Sequence, residues 1–363
     1  MKHKFQNNNA FTIIELMVAV GILVVVLSFA SVIFKVSINS QRTAMANAEI
    51  MQKLRAITDQ LDADFRGLNK DGEIFVIWKA FPNLDPTYED NDLDGYERFD
   101  SIMFFADGDF QSYGINPMIR GNTARICYSL AKKGNFRAES QKRNERILAR
   151  TQHILTDDNL PDFFDPENFT DVQWQQWNNM YEYDKISLEQ WKFLPYQQKV
   201  NICSVIGDIK VSYTNENITF NSTVNRDFWG TYVDPADPNS IQNLLCQGVG
   251  EFKIQGWSEF LQRWIPEVDP DGNGDLTDTN FFIDDSNNVP AVLYPYPLMG
   301  GVTINNLGDL GFRNGYLQEE VDKEHFNAIP GLGKALKFTF TLYDSKGLIK
   351  GGRTFTHIVY LDN

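Results

Sequence analysis

The chain has 363 residues, 42% of them hydrophobic and 22% charged, with a net charge of −15 and a pI near 4.7. That composition is globular, large enough for one big domain or two modest ones, and it excludes a mainly disordered, collagen-like or disulfide-stapled chain. The negative charge argues against a nucleic-acid partner, because binding a phosphate backbone requires concentrated Lys and Arg.

The first element is apolar. Phe11 to Phe34 reads FTIIELMVAVGILVVVLSFASVIF, 24 residues with one charge, Glu15. About 20 predominantly apolar residues span a bilayer as a helix, and this run lacks the polar face that a soluble core helix needs. It is longer than the apolar part of a secretory signal. The processing point lies before it, after the polar leader MKHKFQNNNA at residues 1–10. Lys2 and Lys4 on one side balance Lys35, Arg42 and Lys53 on the other, so charge alone does not orient the span. Glu15 is costly within a spanning helix and is by default functional. Cleavage between Ala10 and Phe11 puts a new α-amino group four residues before it. Two readings of Glu15 are open: it lies near the helix end and snorkels to the interface, or, in an assembly of parallel helices, it is expected to pair with the Phe11 amine of a neighbour, since in lipid an unpaired buried charge is costly.

Ala10-Phe11-Thr12-Ile13-Ile14-Glu15-Leu16, after a short Lys-containing leader and before a long apolar run, resembles the processing and methylation site of the type IV pilin and type II secretion pseudopilin family. The resemblance implies cleavage between Ala10 and Phe11 on the cytoplasmic face by a prepilin peptidase and N-methylation of Phe11. It also implies assembly through Glu15 with other pilins or pseudopilins at an inner-membrane platform, and an extracytoplasmic C-terminal domain. The family usually has Gly before the cut, where this chain has Ala10.

Beyond the membrane run, Ile50, Leu54, Ile57, Leu61 and Phe65 recur at helical spacing between charged residues. They define an amphipathic half at 35–68 that continues the membrane half at 11–34. One continuous helix from about Phe11 to Gly67 would be roughly 85 Å long. From residue 69 the pattern changes to short β-branched and aromatic runs: Glu73–Phe81, Phe99–Ala106, Thr123–Lys132, Glu251–Trp257, Leu336–Asp344 and Thr354–Leu361. The last two read as a hairpin. The fold class is α+β, a long N-terminal helix packed on an antiparallel β-sheet domain with large insertions. Asn144–Leu155 reads as helical. An insertion at about 137–244 contains Trp174, Trp177, Tyr181 and Trp191, expected to bury its aromatics on an insertion helix. Leu54–Leu68, Phe99–Tyr113, Gly248–Trp257 and the closing hairpin resemble the minor pseudopilin J and pilin W group.

Two acidic loops, at about 84–98 and 266–288, have cation-loop spacing. Asp90, Asp92 and Asp94 precede Gly95, and Asp269, Asp271, Asn273 and Asp275 surround Gly272 and Gly274. Alternate oxygens converge on one hard cation while Gly permits the turn, so a structural calcium ion is the candidate cofactor, at the second loop ahead of the first; the alternative is a solvated acidic loop without metal. The twelfth loop positions are Ser101 and Asn280, which lack the usual bidentate carboxylate.

Three scattered cysteines, Cys127, Cys203 and Cys246, have no C-x-x-C pair and argue against a zinc site. No nucleophile elbow, phosphate loop or H-E-x-x-H is present, and His3, His153, His325 and His357 are isolated. No enzymatic role is expected. The resemblance implies a minor pseudopilin of a type II secretion-like system, in or priming the tip of a periplasmic pseudopilus. The alternatives are a minor pilin of a type IV pilus and, from a different class, a membrane-anchored extracytoplasmic protein that binds glycan or another ligand.

Overall fold

The computed structural model describes residues 12–69, 72, 74–82, 96–113, 118–132, 142–156, 182–184, 186–194, 210–214, 217–221, 231–233, 240–258, 262–265, 291–294 and 334–361. Helix α1 runs unbroken over Ile13–Arg66, about 80 Å at 1.5 Å per residue. Thr12 is its N-cap and Gly67 its C-cap. Its first half is exposed on every side, whereas Ala46, Ile50, Ile57, Leu61 and Phe65 are buried, with Leu54 packed beside them. That stripe is the apolar spacing of the sequence turned into a contact.

The strands form two principal sheets. In the larger, β1 (Phe75–Pro82), β3 (Ser101–Gln111), β4 (Arg120–Lys132), β5 (Ile147–Leu155), β10 (Leu244–Gln247) and β13 (Ala291–Tyr294) lie in the order β10-β5-β4-β3-β1-β13. Three short strands flank this path: β2 (Tyr96–Arg98) beside β1, β6 (Tyr183–Asp184) beside β5 and β9 (Thr231–Tyr232) beside β4. The smaller sheet is antiparallel in the order β12-β11-β14-β15, with β11 at Val249–Ser258, β12 at Arg263–Ile265, β14 at Ala335–Leu342 and β15 at Arg353–Tyr360. A separate ribbon joins β7 (Lys210–Thr214) to β8 (Asn217–Asn221). The architecture is α+β, as the sequence predicts, and the closing hairpin is β14–β15.

α1 is buried against both sheets at once. The Phe65 ring stacks on Phe104 of β3 at 4.3 Å and meets Phe338 of β14 at 5.6 Å. The chain passes from one sheet to the other at Gly248, between β10 and β11. Its φ of +86° favours glycine, and a Cβ there would meet the Tyr343 carbonyl oxygen and Lys53 Nζ at 2.8 Å. Arg146, fully buried, braces the corner by donating to the Gly250 carbonyl at 2.7 Å.

One expectation is corrected. Asn144–Leu155 is not helical; Ile147–Leu155 is strand β5, inside the larger sheet and bonded to β4 and β10. Both faces of β5 are covered, so Ile147, Leu148, Ala149, Ile154 and Leu155 are all buried and period-2 alternation is erased from the sequence. Tertiary pairing outweighs local propensity here. The segment read as an insertion therefore supplies an interior strand of the sheet.

The rest of that segment, where described, covers the sheet face turned away from α1. Trp191, on the short helix Leu188–Phe193, is buried against Phe105 with ring centroids 5.2 Å apart. Val233 packs with Ala131, Ile147 and Ala149, and Thr231 meets Ser129 at 2.9 Å. Trp174, Trp177 and Tyr181 lie outside the described residues.

Candidate functional site

The N-terminal turn of α1 carries the charge that the apolar run isolates. Glu15 and Thr12 form a reciprocal cap. The Glu15 amide donates to Thr12 Oγ1 at 3.3 Å, while Glu15 Oε2 accepts from the Thr12 amide at 2.9 Å and its hydroxyl at 3.0 Å. This satisfies donors that a helix start leaves without partners. Both bonds end on Oε2, so Oε1 has no partner among the described residues. Sequence reasoning misses Thr12 as part of this site, although Thr12-Ile13-Ile14-Glu15 fits the S/T-x-x-E capping pattern. Ala10 and Phe11 lie outside the described residues.

Along the rest of the run the polar groups are consumed locally. Ser28 and Ser31 donate to the carbonyls of Val24 and Leu27, each at 2.8 Å. The run is long and apolar enough to cross a membrane, and none of it is buried against the domain. A helix apolar on all sides requires lipid or other helices around it.

Where α1 meets the domain, polar nodes fix it. Asp64 lies in the apolar stripe, three residues after Leu61, and is buried. Arg150 of β5 donates to both of its oxygens at 2.7 Å, and the Tyr128 hydroxyl of β4 donates to the same carboxylate. Burial, with the Asp64 charge beside it, pushes the Tyr128 hydroxyl well above its ordinary pKa, so it remains a neutral donor. Nearer the membrane run, Lys53 donates to the Tyr343 carbonyl at 2.7 Å, and Glu49 accepts from the Ser345 amide at 2.8 Å.

A second node holds the outer layer. Arg125 and His153, both buried on the far face of the sheet, meet Asp184 of β6: Arg125 Nε at 2.9 Å and His153 Nδ1 at 3.2 Å. Burial alone would raise the Asp184 carboxyl. The Arg125 charge, helped by His153, outweighs it and holds the group far below the usual carboxylate range.

Cys127 and Cys246 are buried free thiols on opposite faces of the larger sheet. Cys127 shares its face with Arg125, while Cys246 belongs to the core under α1. Burial pushes Cys127 up to about 11 and Cys246 up to about 12. Reactivity follows the thiolate. Both should therefore resist an aromatic disulfide reagent at pH 8 in the folded chain and react fully in denaturant, as read by peptide mass. Rapid native labelling of either would contradict their burial.

Among the described residues no group of three or more His, Cys, Asp or Glu is placed to hold a metal ion. Both acidic loops, with Asp90, Asp92, Asp94, Asp269, Asp271, Asn273 and Asp275, lie outside the described residues, as does Cys203.

A family model described as the prokaryotic N-terminal methylation motif matches residues 5–31. No curated protein and no solved structure is significantly similar to the chain. The matched segment spans the Ala10–Phe11 junction, Glu15 and most of the exposed apolar run, and it opens a helix whose second half carries a β-sheet domain: the chain carries the N-terminal methylation motif of type IV pilin-like proteins.

Proposed function

We propose that this chain is a minor pseudopilin of a type II secretion-like system. It is inserted by α1 with its N-terminus cytoplasmic and its domain extracytoplasmic, and it joins or primes the tip of a short filament. No reaction is assigned to the chain itself; the chemistry is done to it, at Ala10–Phe11, by a prepilin peptidase. The observation that carries the reading is the lone carboxylate of the exposed apolar run. Glu15 spends Oε2 on its own helix cap and keeps Oε1 open. A neighbouring Phe11 amine can therefore bind without dismantling the helix start. The size of the domain favours a tip, because close helical packing of shaft subunits leaves little room for about 290 extra residues. A minor pilin of a type IV pilus is the second reading, supported by the same motif.

Glu15→Ala tests the assembly role. The variant should fold and enter the membrane as the parent does, since Glu15 touches none of the described residues of the domain, yet recover far less of its partner subunits on co-purification. Undiminished recovery would refute the pairing.

A further inference from the structure

Among the described residues, the end of the domain nearer the apolar run carries an excess of exposed bases. Three contacts fix the strand directions relative to the helix: Ser345 with Glu49 at 2.8 Å, Tyr343 with Lys53 at 2.7 Å, and His357 with Asp62 at 2.8 Å. β15 therefore runs in the same sense as α1, and the Tyr343–Gly352 turn lies at the end of the domain nearer the apolar run. The turn at 142–145 lies there as well. The Asn144 carbonyl oxygen is 3.5 Å from a Cβ built on Gly248, the same point that Lys53 and Tyr343 approach, whereas Arg150, farther along β5, reaches Asp64.

These two turns and the first residue of β15 expose Lys142, Lys346, Lys350 and Arg353, none ion-paired among the described residues, with Leu348 45% exposed between the two lysines of its turn. The acids beside them are mostly engaged. Asp344 is buried and accepts from the amides of Leu348 and Ile349 at 2.9 Å. Glu49 is held by Lys53 and Ser345, which leaves Glu145 exposed. At the far end of α1, where Leu68 bridges to Ala106, the exposed charges are mixed: Asp107 and Asp109 stand with Arg66, Arg120 and Lys334. A chain of net charge −15 thus turns a basic, partly apolar rim toward its own membrane segment.

We propose that this rim docks on the anionic lipid headgroups of the membrane that holds α1, an extension that rests on the membrane anchoring in the function proposed above. Glu49 lies fifteen residues beyond Phe34, about 22 Å along the helix. Headgroups fill roughly the first 5–8 Å of that gap. A span tilted by the usual 20° or so lowers one side of the domain, and headgroup charge acts over a screening length of about 8–10 Å. Lysine-tipped turns at this height lie within its reach, and basic clusters beside a span are attracted to anionic leaflets. Docking fixes the lean and the facing of the domain before it meets a neighbour.

The test uses the full chain in vesicles of phosphatidylcholine with or without phosphatidylglycerol, recovered by flotation and labelled with an uncharged amine-reactive ester. Peptide mass spectrometry reads each lysine. Docking gives several-fold slower labelling of Lys346 and Lys350 in the anionic vesicles, restored by high salt, with Lys192 unchanged. The Lys346→Glu, Lys350→Glu variant floats equally well and loses the protection at Lys142. Equal labelling in both lipids, in vesicles that carry the chain, overturns the docking and leaves the anchoring standing. Failure to float overturns the anchoring and the docking together.

Discussion

Asp64→Ala should lower the unfolding free energy by about 3–5 kcal/mol, the range for breaking a buried ion pair by removing one partner. The change strands Arg150, whose guanidinium loses both 2.7 Å bonds, and it takes the acceptor from the buried Tyr128 hydroxyl. Arg150 is still 17% exposed and can recover some hydration, which places the loss in the lower half of the range. Urea titration of the detergent-solubilised chain, followed by tryptophan fluorescence, measures it. The triple change Asp64→Leu, Arg150→Met, Tyr128→Phe should regain most of the loss, because three apolar groups need no partners. If Asp64→Ala alone costs under about 1 kcal/mol, the clamp between α1 and the sheet is not made by this node.

Asp184→Asn should cost a similar amount, about 3–5 kcal/mol, with a different signature. The neutral amide would leave the Arg125 guanidinium buried without its countercharge on the outer face of the sheet. Hydrogen exchange should then quicken first around β6 and the Leu188–Phe193 helix, while α1 and β4 keep their protection. Acidity adds a second readout. The folded-state pKa of Asp184 is depressed, so its contribution is fully present above the unfolded value of about 3.9 and is lost as pH falls from there toward the folded value. The parent should lose stability steeply below about pH 4, and Asp184→Asn should flatten that slope while lowering the plateau. An unchanged acid slope would mean that other carboxylates dominate the transition.

The sequence shows most plainly what is periodic. Ile50, Ile57, Leu61 and Phe65 announce the buried stripe of α1, and β14 and β15 announce themselves by alternation beside a Gly-rich turn. The N-terminal methylation motif is legible through the register of Ala10, Phe11 and Glu15. β5 is not, because a strand covered on both faces carries no alternation. Neither polar node is legible as a set, since Asp64, Tyr128 and Arg150, or Arg125, His153 and Asp184, are brought together only by strand pairing across long stretches of chain. One trace of the first is visible: a carboxylate at a stripe position of an amphipathic helix needs a partner. Thr12 is also readable, from the capping pattern it shares with Glu15.

Cleavage at the junction ahead of α1 decides the proposed function, and intact mass of the chain extracted from its membrane reads that event directly. The expected mass corresponds to loss of residues 1–10 and addition of one methyl group, with fragmentation placing the methyl on the Phe11 amine. A mature chain that begins at Met1, or beyond Phe34, would contradict the proposal that this protein is a processed, filament-forming subunit.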